Sequence, residues 1–219
     1  MRLARPAADP SNGITQQTPR LAVVDPWAVA AIVAGYFIGS ADFGVIVPRL
    51  FGVDIYEVGS GNPGTTNVLR SMGKVAAAVV LLGDMAKGLA AAALGDLAGS
   101  DALGFAAGLA AVTGHCFPVW HRFNGGKGVA TTGGMVLWMQ PILGGVLVLG
   151  WALLVMAVRR ASIASLVLAA ALVPSLALVG QRGWSLVWAG GASLLILYRH
   201  SSNINRLISG SENTIEEPS

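Results

Sequence analysis

Long apolar runs alternate with short polar ones from residue 27 to residue 198. A helix needs roughly 17–25 mostly apolar residues to cross a bilayer. By that measure the runs give seven segments: Trp27–Pro48, Val75–Leu97, Asp101–Val119, Val129–Met139, Pro141–Val158, Ile163–Val179 and Trp184–Tyr198. The fourth is short, and Gln140-Pro141 separates it from the fifth; merging or demoting pieces around residue 140 gives five spans instead. The pattern predicts an all-α, polytopic integral membrane protein with seven transmembrane helices, five being the alternative. Residues 1–26 are polar, carry Pro6, Pro10 and Pro19, and hold no apolar core of a secretory signal. They read as a disordered N-terminal tail, or as the product of a start assigned too far upstream. Residues 27–212 read as a single transmembrane domain and 213–219 as a disordered C-terminal tail.

Composition narrows the class. Hydrophobic residues make up 54% and charged residues 11% of the 219, where soluble domains carry about 25% charged residues. A cytosolic enzyme, a disordered protein and a nucleic-acid binder are excluded. The net charge of +3 is small, and its lysines and arginines flank the apolar runs. A single cysteine, Cys116, excludes a disulfide framework and a cysteine-based zinc site. The 29 glycines suit close helix packing in lipid. Spacings such as Gly35/Gly39 and Gly104/Gly108 serve either packing within the chain or dimerisation.

Charge then sets an orientation. The loops after the first, third, fifth and seventh spans hold Arg49, Arg70, Lys74, Arg122, Lys127, Arg159, Arg160, Arg199 and Arg206, whereas the opposite loops hold Arg182. The positive-inside rule places the first group in the cytoplasm, with the N-terminus outside and the C-terminus inside. The arginines of the N-terminal tail pull the other way and are outvoted. Nearly every chemically capable residue lies on the cytoplasmic side, so a site is expected there.

Three constellations on that side favour anions. In Gly59-Ser60-Gly61-Asn62-Pro63-Gly64-Thr65-Thr66-Asn67-Val68-Leu69-Arg70, glycines let backbone N–H groups converge, neutral side chains add donors, and Arg70 adds a planar fork suited to phosphate. A solvated turn is the plain alternative. In Phe123-Asn124-Gly125-Gly126-Lys127-Gly128-Val129-Ala130-Thr131, glycines flank Lys127 where a helix begins, and a helix N-terminus adds amides and a favourable dipole. A simple membrane anchor does not need those glycines. In Arg199-His200-Ser201-Ser202-Asn203, His200 and Asn203 share a helix face, and histidine is the commonest general acid/base; a helix end with a basic anchor is the alternative. Ser162 and Ser165 share another face, either as helpers or as serines bonded to their own backbone. Asp84 and Lys87, three apart inside the second span, read as an ion pair lining the polar site, since lone charges in hydrocarbon are costly. Asp42 is a similar buried candidate. No His-x4-Asp pair, no G-x-S-x-G elbow and no acidic cluster suited to magnesium occurs in the sequence.

These residues carry a resemblance. Gly59-Ser60-Gly61-Asn62-x-Gly64-x-Thr66-Asn67, Gly114-His115-x-Phe117-Pro118 with Phe123-x-Gly125-Gly126-Lys127-Gly128-Val129-Ala130-Thr131, and Arg199-His200-x-x-Asn203-Ile204-Asn205-Arg206-Leu207 resemble the three motifs of the bacterial acyl-phosphate:glycerol-3-phosphate acyltransferases, the PlsY family. Asp84-x-x-Lys87-Gly88 and Gly39-Ser40 also fit. The resemblance covers about residues 27–212. Pro63, Thr65 and Asn124 depart from the pattern, Asn124 standing where a basic residue is frequent.

The resemblance implies transfer of an acyl group from acyl phosphate to the 1-hydroxyl of glycerol 3-phosphate. The products are lysophosphatidic acid and phosphate, and the reaction opens phospholipid synthesis. It implies no cofactor, no metal and no acyl-CoA. It further implies a multi-pass protein of the bacterial inner membrane, with its site facing the cytoplasm and a functional link to an enzyme that makes acyl phosphate. By the same resemblance, Ser60 and Asn62 with the amides of Gly61 and Gly64, beside Thr66 and Asn67, hold the donor phosphate. Lys127, in its Gly125-Gly126 turn, and Arg70 hold glycerol 3-phosphate. Ser162 assists, and His200 and Asn203 position the acceptor. The resemblance implies that no protein base is obligatory: a substrate phosphate could take the hydroxyl proton, and the choice between it and a protein residue stays open at this point. A transporter of a phosphate ester is the alternative from another class; it needs polar residues in the outer halves of the spans, and the sequence has few.

Overall fold

The computed structural model describes residues 25–215. Among these residues the chain forms ten α-helices and one short 3-10 turn. They are α1 (Pro26–Ser40), α2 (Phe43–Leu50), α3 (Thr65–Met72), α4 (Lys74–Ala98), α5 (Asp101–Cys116), α6 (Val129–Met139), α7 (Pro141–Val158), α8 (Ala161–Leu178), α9 (Trp184–Arg199) and α10 (Ser201–Ile208). The expected N-terminal tail lies outside the described residues except at its end, where the Asp25 side chain caps α1 by accepting from Trp27 N at 3.0 Å. Pro26 follows at the first helical position, where its missing N–H costs nothing.

Five stretches are long and apolar enough to cross a membrane: Pro26–Leu50, Lys74–Ala98, Asp101–His121, Pro141–Val158 and Ala161–Leu178. The fourth expected span, α6, has 11 residues, about 16 Å at 1.5 Å per residue. The seventh, α9, has 16 residues. Both fall short of that criterion. The first stretch is broken at Ala41–Asp42, where Asp42 stops being a membrane residue in the usual sense and becomes a cap. Its carboxylate accepts from Gly44 N at 3.0 Å and starts α2.

Helix α5 packs on α1, α4, α6 and α9, and α4 also packs on α6. Lipid tails are as apolar as leucine, so tight van der Waals contact must replace the hydrophobic effect between these helices. The glycines supply it. A Cβ on Gly39 would run into the Ala111 backbone, one on Gly88 into the Thr131 carbonyl and one on Gly134 into the Met85 carbonyl. Gly35 meets Ala107, and Gly104 and Gly108 meet Met139 and Met135. The small-residue spacings are therefore used inside the chain. By contrast α7 buries only Gly144, as a lipid-facing helix does. At the end away from the basic loops the helices are pinned by Trp138 Nε1 to Asp96 Oδ2 at 3.0 Å and Gln181 Nε2 to Asp101 Oδ2 at 3.1 Å. At the basic end a small cluster of Val45, Val47, Ile55, Val68, Ala77 and Val80 seats the loop between α2 and α3.

Candidate active site

The first motif folds as a turn held from within. Asn67 is its pin: Oδ1 accepts from Ser60 N at 2.9 Å, and Nδ2 donates to Val58 O at 3.0 Å and to Ile55 O at 3.4 Å. The amide of Gly61 donates to Val58 O at 3.1 Å and that of Gly64 to Asn62 O at 2.8 Å. The expectation that the Gly61 and Gly64 amides face an anion is corrected here. Both are spent closing the turn, and the φ of +66° at Gly61 is what closing it requires. Asn67, with its side-chain oxygen and nitrogen both bonded to the backbone, shapes the loop at the edge of the cavity it lines. The open amides stand next to them. Thr65 and Thr66, the first residues of α3, donate to no acceptor among the described residues, and Thr65, Thr66, Ser60 and Asn62 line a cavity.

The second motif repeats this logic. Gly125 N donates to Cys116 O at 3.2 Å and Gly126 N to His115 O at 3.0 Å. Their carbonyls accept from Arg199, at 2.6 Å and 3.0 Å. Gly125 and Gly126 are thus clamped, not ligand-facing, and they are glycines because a Cβ at either would strike His115. Tyr56 Oη donates to Asn124 O at 2.6 Å and ties the two motifs together. The clamp leaves Lys127 to project, and Gly128, at φ +82°, turns the chain into α6. The first amides of α6, at Val129 and Ala130, have no acceptors among the described residues, and both residues line the same cavity.

The third motif closes the cavity. Lys127 Nζ donates to Asn203 Oδ1. Asn203 Nδ2 donates to Glu212 Oε1 at 2.6 Å, and Arg206 Nε donates to Glu212 Oε2 at 2.8 Å. Burial of Lys127, with Arg206 nearby, lowers its pKa from the usual 10.5 to about 8. Burial, then the Lys127 charge, lowers that of His200 to about 4. His200 Nδ1 lies 2.8 Å from Ile196 O. A carbonyl only accepts, so Nδ1 carries the proton and Nε2 is left with its lone pair.

All of this surrounds one cavity of about 350 Å³. Its polar wall holds Ser60, Asn62, Lys127, His200, Asn203 and Arg206, and its apolar arm holds Leu81, Met85, Gly133, Val148, Trp151 and Leu168. A second, polar cleft of about 320 Å³ lies beyond Lys127; it shares Ser60, Asn62, Lys127 and Arg206 with the first and adds Asn124 and Arg199.

The family model described as glycerol-3-phosphate acyltransferase matches residues 29–210. The glycerol-3-phosphate acyltransferase of Sinorhizobium medicae is 43% identical over 193 residues, which is 88% of this chain and 94% of that protein. The chain belongs to the glycerol-3-phosphate acyltransferase family. A Neisseria meningitidis member is 44% identical over 85% of this chain and 96% of its own length. The crystal structure of PlsY (YgiH), an integral membrane glycerol 3-phosphate acyltransferase, in its glycerol 3-phosphate form superposes with a TM-score of 0.82 at 36% identity, covering 85% of this chain and 94% of that one. Its lysophosphatidic acid form gives a TM-score of 0.80. The chain is accordingly an acyltransferase of the membrane, and its polar cavity is the place to seek the chemistry.

In this acyltransferase Ser60, Asn62, Thr66, Arg70, Lys127, Ser162, His200 and Asn203 line the one cavity. Ser162 Oγ is buried without a hydrogen-bond partner of ordinary geometry and faces Glu212. Ser165, by contrast, donates to Ala161 O at 2.8 Å and accepts from Trp151 at 3.1 Å, as a packing serine does. The Arg70 guanidinium donates to Thr214 O at 2.5 Å, while Ile215 N donates to Arg159 O at 2.8 Å. Residues 213–215, read from the sequence as the start of a tail, thus lie across the cavity rim. Sequence reasoning missed Glu212. Desolvation would raise its pKa, but Ser162, Asn203 and Arg206 outweigh that and hold it below the usual carboxylate range. The available signal was a lone acid six residues after Arg206, just past the turn at Gly210.

Asp42, Asp84 and His115, all buried, bring ligand atoms within 4.8 Å of one another. The Lys87 ammonium already stands 2.8 Å from Asp84 Oδ1 and 2.8 Å from His115 Nδ1. A metal would have to displace it, so the group fits an internal cation, not an external one.

Proposed function

We propose that this enzyme moves an acyl group from an acyl phosphate to the 1-hydroxyl of glycerol 3-phosphate, releasing lysophosphatidic acid and phosphate, at a site on the cytoplasmic side. The observation that carries the reading is the continuity of a cationic, donor-rich wall with an apolar arm in one cavity. A phosphate with an acyl tail matches that shape, and a second small anion matches the polar cleft behind Lys127. The positive-inside distribution of lysine and arginine supports the cytoplasmic side and the N-out, C-in arrangement.

The chemistry needs little from the protein beyond placement. An acyl phosphate is a mixed anhydride with a good leaving group. Ser60, Asn62 and the amides of Thr65 and Thr66 hold the donor phosphate; Lys127 and Arg70 offset the charge of the acceptor; Ser162 adds a hydroxyl. His200 presents its Nε2 lone pair, and with Asn203 it orients the acceptor. A base with a pKa near 4 is a weak proton acceptor at neutral pH. The donor phosphate, with a second pKa of about 6, is better matched to take the hydroxyl proton as the bond to it breaks. Proximity and electrostatic preorganisation then account for the rate.

Phosphate release by the purified protein in lipid, with glycerol 3-phosphate and either palmitoyl phosphate or palmitoyl-CoA, tests the reading. Release with palmitoyl phosphate alone, dependent on the acceptor, supports it. Turnover with the CoA donor overturns the donor, and silence with both overturns the reaction.

A further inference from the structure

His115 belongs to the second motif, yet the mechanism above gives it no task. It is 3% exposed and lines the cavity together with Asp84. Asp84 sits on α4 between Leu81 and Met85 of the apolar lining, and His115, 3.5 Å from it, reaches Gly126 beside Lys127 of the polar wall.

Its surroundings fix its tautomer. Lys87 Nζ has three protons to place and three acceptors around it: Asp84 Oδ1 at 2.8 Å, Ala41 O at 2.9 Å and His115 Nδ1 at 2.8 Å. The first two can only accept. The third proton therefore goes to His115 Nδ1, which receives it on a lone pair. Asp84 Oδ1, the other neighbour of Nδ1, is farther away at 3.5 Å. With Nδ1 an acceptor, the ring proton sits on Nε2. That atom makes no hydrogen bond to the described residues. It lies at Gly126, where a Cβ would collide with it, and so next to the backbone that carries Lys127.

We infer that His115 is a further catalytic residue, whose Nε2–H donates to the acyl carbonyl oxygen of the donor. The inference rests on the acyl phosphate reading. The carbonyl of an acyl phosphate joins the phosphate to the chain, and His115 sits where the polar wall meets the apolar arm. When the acceptor oxygen bonds to the carbonyl carbon, negative charge develops on the carbonyl oxygen; as the carbon–phosphate oxygen bond breaks, the charge leaves with the phosphate, which takes the hydroxyl proton. His115 keeps its own proton throughout. A neutral imidazole N–H preorganised in a water-poor site stabilises such a charge. The two buried histidines then present opposite faces: His200 a lone pair to the hydroxyl, His115 an N–H to the carbonyl.

The test compares His115→Gln, whose amide reaches the place of Nε2, with His115→Asn, which keeps a partner for Lys87 and loses the Nε2 donor. Both are assayed as the full chain in lipid with palmitoyl phosphate, beside a thermal melt. The expected result is a fall in kcat of about 10²–10³ for Asn with KM for glycerol 3-phosphate unchanged, and Gln recovering to within about tenfold of wild type. Wild-type kcat in Asn, a loss confined to KM, or a folded Gln variant no better than Asn would overturn it. Should Asn not fold, ¹⁵N spectra of histidine-labelled wild type decide: a proton on Nε2 of His115 supports the inference, one on Nδ1 overturns it. A wild type active only with palmitoyl-CoA would sink the acyl phosphate reading alone, and the Gln/Asn comparison would then be read with that donor.

Discussion

The molecule contains two lysine-centred networks of nearly the same ingredients and opposite character. Lys87 meets a carboxylate, a histidine and a carbonyl, and all its protons are spent on protein. Lys127 has one neutral partner, Asn203, with an acid and an arginine behind it. Neither residue is exposed enough to be a surface anchor. The difference lies in what remains unsatisfied. A buried cation whose donors are all used holds structure together, and one with donors to spare, facing a cavity, is waiting for an anion. The distinction is a count of hydrogen bonds, so it can be broken by changing the count.

The largest effect is expected at the open end. Lys127→Ala removes the charge that faces both the cavity and the polar cleft, and we expect kcat/KM for glycerol 3-phosphate to fall at least about 10³-fold, or about 4 kcal/mol, with the melting temperature nearly unchanged. Lys87→Met should act chiefly on stability, with its effect on kcat coming only through the His115 tautomer it no longer fixes. Removing one partner of a buried pair strands Asp84 and costs about 3–5 kcal/mol of stability, so thermal unfolding or the yield of folded protein reports it. The double variant Asp84→Asn/Lys87→Met should recover part of that loss, because no uncompensated charge is left. Equal activity losses without a stability difference between the Lys87 and Lys127 variants would erase the comparison.

Glu212 supplies a smaller test. It fixes Asn203 and Arg206 and thereby leaves the Lys127 ammonium with a neutral partner. Glu212→Ala frees both, each through a charge-assisted bond worth about 1.5–3 kcal/mol, and we expect about a hundredfold loss in kcat/KM. Glu212→Gln keeps an acceptor for Asn203 and should lose only about tenfold. A steady-state assay at two acceptor concentrations separates these. If Gln proves as inactive as Ala, charge rather than hydrogen bonding is what orders Asn203.

The contrast between the networks also explains what could be read in advance. The membrane class, the apolar segments and the Asp84–Lys87 pair were legible, because hydropathy and local spacing determine them; the gathering of Ser60, Lys127, Ser162, His200 and Asn203 in one place was legible only through their shared side of the membrane and the family resemblance. The bounds of α6 and α9 were legible too: the expected Val129–Met139 is α6, begun by the glycine turn at Gly128, and Trp184–Tyr198 ends one residue short of α9. Backbone direction was not legible at all. Gly61, Gly64, Gly125 and Gly126 look alike as anion nests, yet their amides are consumed by Val58, Asn62, Cys116 and His115 carbonyls, and the open donors fall at the next helix starts. A sequence shows which residues permit a turn and not which way its N–H groups point. Glu212 was missed for a related reason, since its partners are reached only after the chain reverses at Gly210.

The pH dependence is the gentlest probe and the most specific to Lys127. Its pKa is held at about 8 in the free enzyme, against 10.5 for an ordinary lysine, chiefly by burial. The charged form binds the acceptor, so the direction is fixed: kcat/KM is flat at neutral pH and falls as pH rises through about 8. Between pH 7 and pH 9 the protonated fraction, and with it kcat/KM, should drop about tenfold. His200, with a pKa near 4, is neutral across that range and adds no slope. Bound substrate anion favours the ammonium, so kcat at saturation should hold to higher pH than kcat/KM does. A Lys127→Arg variant, whose guanidinium does not titrate below about pH 12, should retain a flat profile through pH 9 whatever its absolute rate. A falling limb that survives in Lys127→Arg would move the titration to another group and, with it, the claim that the unsatisfied lysine is the one that works.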